Sequence, residues 1–178
     1  DLVNSFQVDA VTGLPNPDAY NTTEVKNDQG LNSSDPFTPE TRTLDARLDW
    51  TVGRRGIPYR DWGPHPGQQW IRDQAYSGPY APIKNTYKKS QEGVLTDKSF
   101  WTSGVTANNY TLIRYADLLL WAAEAEVEAG SLENARALVN QIRGRAANPA
   151  GFVKTAGGAN AANYKVGLYT VPWTDKVV

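Results

Sequence analysis

Cysteine and methionine are both absent from this chain of 178 residues. The first absence excludes disulfides, thiolate metal sites and thiol nucleophiles, and it is mute about compartment. Histidine is reduced to a single residue, His65, in Gly63-Pro64-His65-Pro66-Gly67. A zinc site or a Ser-His-Asp triad would have to be built around that one imidazole, and no Gly-x-Ser-x-Gly elbow accompanies it. Gly157-Gly158 lacks the lysine and the following helix of a phosphate loop, so no cofactor is implied.

An excess of either charge is missing too. Eighteen Lys plus Arg stand against nineteen Asp plus Glu, a formal net charge of −1 with no long run of one sign. That leaves no nucleic-acid footprint and no polybasic membrane patch. The most apolar segment, residues 112–127, is interrupted by Arg114, Asp117, Glu124 and Glu126, which excludes a membrane-spanning helix there. The chain carries neither a signal peptide nor a lipidation motif and opens on Asp1, the pattern expected of an internal portion of a longer polypeptide.

Loop-formers and aromatics are what the chain has in quantity: 11 Pro, 15 Gly, 6 Trp and 9 Tyr. The length suits one globular domain, and this composition makes it a loop-rich one whose loops are held by packing and are the natural seat of function. Residues 1–40 leave room for a short helix at the start and are otherwise coil, with turn chemistry at Thr12-Gly13-Leu14-Pro15 and Ser33-Ser34-Asp35-Pro36. Residues 41–110 form an aromatic, loop-rich segment. Within it Arg47-Leu48-Asp49-Trp50-Thr51-Val52 reads as a strand, followed by a loop over residues 53–78.

From residue 113 the pattern turns helical. Ala116, Leu120, Ala123 and Val127 share one face of a helix over 113–129, and Gly130 stops it. Ser131 caps a second helix whose stripe is Ala135, Leu138, Val139, Ile142 and Ala146, ended by Asn148-Pro149. With only Gly130 and Ser131 between them, the two helices over 113–146 form an antiparallel hairpin, with Ala116, Ala122, Ala123 and Ala129 allowing close approach. Trp50 and Trp121 are assigned to packing. Residues 150–178 are a variable connection: residues 164–171 read as a strand or an extended link, and Thr174 or Asp175 as the cap of a further helix. The fold class is therefore mainly α, a tetratricopeptide-like helical hairpin beside a large aromatic loop region with a few short strands.

The hairpin also carries a resemblance. Leu112-Ile113-Arg114-Tyr115-Ala116-Asp117-Leu118-Leu119-Leu120-Trp121-Ala122-Ala123-Glu124-Ala125 is similar to the "hRYAEhLLhyAEA" segment of the SusD/RagB family, h being apolar. Ala137-Leu138-Val139-Asn140-Gln141-Ile142-Arg143-Gly144-Arg145-Ala146 resembles its "ALxlhNxhRxRA" continuation. Upstream, residues 1–9 resemble the family's "NLVnsFet.dG" start. Asp45-Ala46-Arg47-Leu48-Asp49-Trp50-Thr51-Val52 resembles its "DPRLdwTV", with Ala46 in place of the usual Pro. The resemblance implies a partial C-terminal region of a nutrient-binding lipoprotein on the surface of the outer membrane. Such a protein binds an oligosaccharide or polysaccharide and delivers it to a SusC-like TonB-dependent transporter. Membrane contact would then be made only through a lipid anchor outside this chain, and no enzyme activity is implied.

The residues support glycan binding on their own terms. A pyranose offers a C–H face to an aromatic ring and hydroxyls to planar polar groups. Tyr59, Trp62, Trp70, Arg72 and Tyr76 are the candidate contacts, set among Arg60, Asp61, Gln68, Gln69 and Asp73. The same rings are equally able to pack the loop onto the helices, the commoner role for any one of them. The scaffold alternative is a tetratricopeptide-like protein-interaction module with no sugar site in this chain. Catalysis by helix carboxylates is disfavoured: Asp117 and Glu124 are separated by roughly 10.5 Å of helix rise, outside the glycosidase window of about 5–9.5 Å. Glu124 and Glu128, about 6 Å apart, lie on an open face with nothing to raise one pKa.

Overall fold

Three α-helices form where the local signals are strongest: α1 (Gln74–Ser77), α2 (Tyr115–Ala129) and α3 (Leu132–Ala146). The computed structural model describes residues 2–20, 22–99 and 105–174. The further helix expected after a cap at Thr174 or Asp175 falls on residues that lie outside the described ones. At the start of α2 the Asp117 carboxylate accepts the Arg114 backbone N–H at 2.9 Å and pairs with its guanidinium at 2.6 Å. At the end of α2 the Glu126 carboxylate folds back over Gly130, where a Cβ would lie 2.1 Å from Oε2. It accepts the Ser131 N–H at 3.0 Å, and Ser131 caps α3 by accepting the Asn134 N–H at 3.4 Å. That corner folds α3 back on α2 as the sequence predicts.

The buried faces differ in part from the expected ones. Ala123, Ala135 and Ile142 are buried, and Leu138, Val139 and Ala146 are half-buried. Leu120, however, is 45 % exposed and Trp121 55 % exposed, so neither packs inside as expected. Of the four alanines expected at the close approach, Ala116 is half-buried, Ala123 buried, and Ala122 and Ala129 exposed. The reason lies in Leu118-Leu119-Leu120: three consecutive leucines blur the helical period, and the half-buried Leu119 takes the inward place. Ile142→Val should cost about 1 kcal/mol and Leu120→Gln less than about 0.5 kcal/mol in urea unfolding. Equal midpoint shifts for the two would contradict these faces.

The other flank of α3 is polar and bonded. Asn140 exchanges two hydrogen bonds with the backbone of Tyr169, both at 2.8 Å. Arg143 donates to the carbonyls of Gly167 at 2.5 Å and Gly13 at 3.0 Å, so these two polar members of the helix motif stitch coil to helix.

The core lies mostly outside the helices. One cluster joins Ala46, Ile57, Phe152, Val153, Tyr164 and Val166; a second joins Val3, Val25, Leu44 and Leu48. Leu44 bridges to both Gln7 and Tyr164, tying the start of the chain to its last third. Residues 2–6 form a short 3-10 helix, and residues 164–171 run as an extended link with one bridge. The strand expected over residues 47–52 is instead a 3-10 turn, Leu48–Trp50, leading into β1 (Val52–Gly53). Asp45 starts that turn by accepting the Arg47 N–H at 2.9 Å while its own carbonyl takes the Leu48 N–H at 3.0 Å. Trp50, assigned to packing, is 48 % exposed, with its indole N–H held by the Gly151 carbonyl at 2.8 Å.

β1 pairs antiparallel with β2 (Ala81–Pro82), and β3 (Thr96–Asp97) with β4 (Val105–Thr106). Helix is thus the main regular structure, with two ladders of two residues per strand. Among the described residues no helix is long and apolar enough to cross a membrane.

Candidate functional site

The loop after β1 is a tight hairpin. Gly56 donates to the His65 carbonyl at 2.9 Å, His65 to Ile57 at 2.9 Å and Tyr59 to Gly63 at 2.8 Å, which puts Tyr59, Arg60, Asp61 and Trp62 at the tip. Gly53 makes this possible: a Cβ there would lie 2.5 Å from the Tyr59 ring, so only glycine lets the ring cover the strand. The β1–β2 pairing, Val52 with Pro82 and Gly53 with Ala81, then brings residues 80–87 alongside the hairpin.

Four side chains of the hairpin tip, those of Tyr59, Arg60, Asp61 and Trp62, are bonded to residues 82–90. The Tyr59 hydroxyl donates to the Pro82 carbonyl and the Trp62 indole N–H to the Tyr87 carbonyl at 3.2 Å. Arg60 reaches Ile83 O and Thr86 Oγ1, both at 2.7 Å. Asp61 accepts the N–H groups of Ser90 at 3.0 Å and Lys89 at 2.6 Å, and these bonds hold its exposed carboxyl down to about 2. Arg60 and Asn85, at φ 50° and 62°, are the only non-glycine residues in the left-handed region among those described. Backbone strain of this kind persists where surrounding structure imposes it, and here both residues belong to the joint between the two segments.

Between the segments lies a cavity of about 550 Å³ lined by Tyr59, Trp62, Trp70, Ala81, Pro82, Asn85, Thr86, Tyr87 and Thr106. Trp62 meets Tyr87 edge-on with centroids 5.8 Å apart, and Trp70 meets Tyr59 edge-on at 5.6 Å. The lining supplies four aromatic rings, one carboxamide and two threonine hydroxyls and, among the described residues, no carboxylate. Rings of this kind can stack on the C–H face of a polyhydroxylated ligand, and the carboxamide and hydroxyls can hydrogen-bond to it. Among the described residues there is also no cluster of three or more His, Cys, Asp or Glu able to hold a metal.

Of the five expected contacts, Tyr59, Trp62 and Trp70 meet at this cavity. Arg72 and Tyr76 do not line it: both are exposed, Tyr76 on α1 and Arg72 just before the Asp73 that caps α1. The second wall, residues 81–87, was missed in the sequence, although Asn85-Thr86-Tyr87 after Pro82 joins a turn former to an aromatic. Thr106 carried no signal.

His65 lies beneath the site, 1 % exposed, edge-on to Trp70 with ring centres 5.2 Å apart. Its Nδ1 accepts the Gly67 N–H at 3.0 Å, which sets the neutral tautomer with the proton on Nε2. Burial pushes its pKa down to about 4 from 6.5. A depressed folded-state pKa means that the unfolded chain takes up the proton first, so stability present above pH 6.5 is lost as pH falls towards 4. Glu40 acts in a lower window. Burial opposes its charge, but bonds from Arg42 and from the Lys26 N–H outweigh it and bring the pKa to about 2 from 4.5. An NMR titration of the His65 ring should show a midpoint near 4 and urea midpoints that fall between pH 6.5 and 4; a ring titrating near its ordinary value would contradict this burial.

Compared with protein families, the chain matches the model of the SusD family over residues 1–166. No curated protein matches it.

Proposed function

Because this chain belongs to the SusD family, whose members are carbohydrate-binding proteins of nutrient uptake at the outer-membrane surface, we propose that the aromatic cavity holds a stretch of glycan. The observation that carries this reading is the convergence of Tyr59, Trp62, Trp70 and Tyr87 on one cavity whose other groups are neutral hydrogen-bonding ones. Rings bury C–H faces of sugar units; the Asn85 carboxamide and the Thr86 and Thr106 hydroxyls pair with sugar hydroxyls. Its volume of about 550 Å³ lies within the roughly 300–1,000 Å³ of ordinary ligand cavities. Arg72 and Tyr76 serve as outer contacts for a chain longer than the cavity.

In this reading the protein is not an enzyme. It passes its glycan to a SusC-like TonB-dependent transporter, and the α2–α3 pair acts as a tetratricopeptide-like element of the surface that docks there. Affinity electrophoresis against a panel of polysaccharides tests it, with release of reducing ends followed in parallel. Retardation without release is expected; release would make the protein a hydrolase, and no retardation on any polysaccharide would remove the glycan reading. A helical interaction scaffold is the second reading, favoured by exposed Tyr115, Leu118, Leu120 and Trp121 on α2. Association abolished by Leu118→Gln and Trp121→Gln, with no polysaccharide retained, would establish it instead.

A further inference from the structure

A second cavity, of about 430 Å³, lies on the other side of the turn that walls the aromatic one. Its lining includes Trp50 and four cationic side chains: Arg47, Lys84, Arg114 and Arg145. Two of these are already neutralised. Arg47 is held by Asp45 at 2.5 Å and Arg114 by Asp117 at 2.6 Å. Lys84 and Arg145 have no carboxylate within ion-pair distance among the described residues, although Asp117 does feel the charge of Lys84. Four cations therefore face two carboxylates, and the cavity keeps a positive excess inside a chain whose net charge is −1. Arg145 has a structural reason for its place, since a cation in the last turn complements the α3 dipole. Lys84, exposed in a turn, has none.

Trp50 adds an apolar face. Its N–H is fixed on Gly151, it is 48 % exposed, and Phe6, Ala46 and Ala146 flank it in the lining. A half-exposed indole beside two uncompensated cations suits a ring that is apolar on its face and anionic at its edge. We propose that this cavity is a subsite for a hexuronate unit, Trp50 taking the C–H face and Lys84 with Arg145 taking the carboxylate, so that the glycan bound is an acidic one. The inference rests on the reading of the aromatic cavity as a glycan site. The two cavities are walled by neighbouring residues, Lys84 in one and Asn85 in the other, whose Cα atoms are about 3.8 Å apart. One oligosaccharide laid over the turn at residues 83–86 reaches both.

Isothermal titration with uronate polymers (polygalacturonate, alginate and unsulfated chondroitin) tests this, beside methyl-esterified polygalacturonate, neutral polysaccharides and dextran sulfate. At least one uronate polymer should bind, more tightly than any neutral one, and its esterified form should bind less well. Lys84→Gln and Arg145→Gln should each weaken that binding roughly tenfold, the loss of one charge-assisted hydrogen bond. Lys84→Gln should leave the unfolding midpoint unchanged, and Arg145→Gln should lower it only slightly, through the lost complement to the α3 dipole. Binding should also weaken at high salt, since exposed charges are screened. Retention of neutral polysaccharides alone would overturn this proposal and leave the glycan reading standing, whereas no binding of any polysaccharide would end both. Equal binding of the esterified polymer, equal binding of dextran sulfate, or indifference to both substitutions would overturn the uronate subsite, the second by showing charge attraction without a site for the sugar.

Discussion

Arg54→Leu should lower the stability of the fold by about 3–5 kcal/mol, the cost of leaving one member of a buried ion pair without its partner. Arg54 and Asp49 meet through two bonds, Nε to Oδ1 at 2.6 Å and a terminal nitrogen to Oδ2 at 2.9 Å, with side chains 4 % and 0 % exposed. Burial opposes the arginine's charge, but Asp49 keeps its pKa above the ordinary value. Tyr164 brings a third element by donating its hydroxyl to Asp49 Oδ2 at 2.5 Å, and burial together with that carboxylate pushes the phenol's pKa up. This triad ties the turn before β1, the start of the aromatic hairpin and the last third of the chain. Its loss should therefore also weaken glycan binding, through the position of Tyr59 and Trp62. The check is urea unfolding of Arg54→Leu beside the triple variant Arg54→Leu, Asp49→Leu, Tyr164→Phe. Removing all three polar partners should recover part of the loss, because a buried apolar cluster leaves no orphaned charge. A midpoint for Arg54→Leu equal to the wild type would mean that water reaches Asp49.

Trp70→Ala should weaken polysaccharide binding by about 30-fold or more, on the order of 2 kcal/mol, as expected of an aromatic anchor. Trp70 is 43 % exposed and held by edge contacts to Tyr59 and His65, so the fold should survive with little change in midpoint. Trp62→Ala should weaken binding to a similar degree and also loosen residues 85–87, because the indole N–H bond to Tyr87 disappears with the ring. Trp70→Phe should retain part of the affinity, since a smaller ring still stacks. Calorimetry against the best-retained polysaccharide, paired with unfolding curves, separates the outcomes. Loss of fold together with loss of binding in Trp70→Ala would assign the ring to packing, and full binding in both alanine variants would move the site elsewhere.

The hairpin was legible because its instructions are local. Ser131, Gly130 and Asn148 act on backbone groups within four residues of themselves, and the apolar period repeats every turn, so a short window of sequence contains the whole signal. The same window misplaced Leu120 and Trp121. In a run of three leucines, the neighbour decides which side is inward, and that neighbour is another segment. The strand expected over residues 47–52 failed for a comparable reason: the pattern suited a strand, but the Asp45 side chain offered nearby N–H groups an alternative that tightened the chain into a 3-10 turn.

By itself the sequence determined the two helices, the corner between them, the loop-rich aromatic segment and the family likeness, since each rests on residues close together in the chain. The second wall of the aromatic cavity was decided only by tertiary structure. Val52 and Gly53 pair with Pro82 and Ala81 some thirty residues away, and that pairing, with the bonds of Arg60 and Trp62 to Thr86 and Tyr87, sets Asn85, Thr86 and Tyr87 opposite Trp62 and Trp70. Gly53 shows why the distance matters. Along the chain it is one of fifteen glycines, and only when the Tyr59 ring folds back to within 2.5 Å of its missing Cβ does its identity become a requirement. Lys84 and Arg145 are likewise ordinary surface cations in sequence; folding brings them to one cavity beside Arg47 and Arg114, each of which is already paired with an aspartate, Asp45 and Asp117. Charge excess and ring convergence are sums over segments far apart in sequence, and no local pattern contains them.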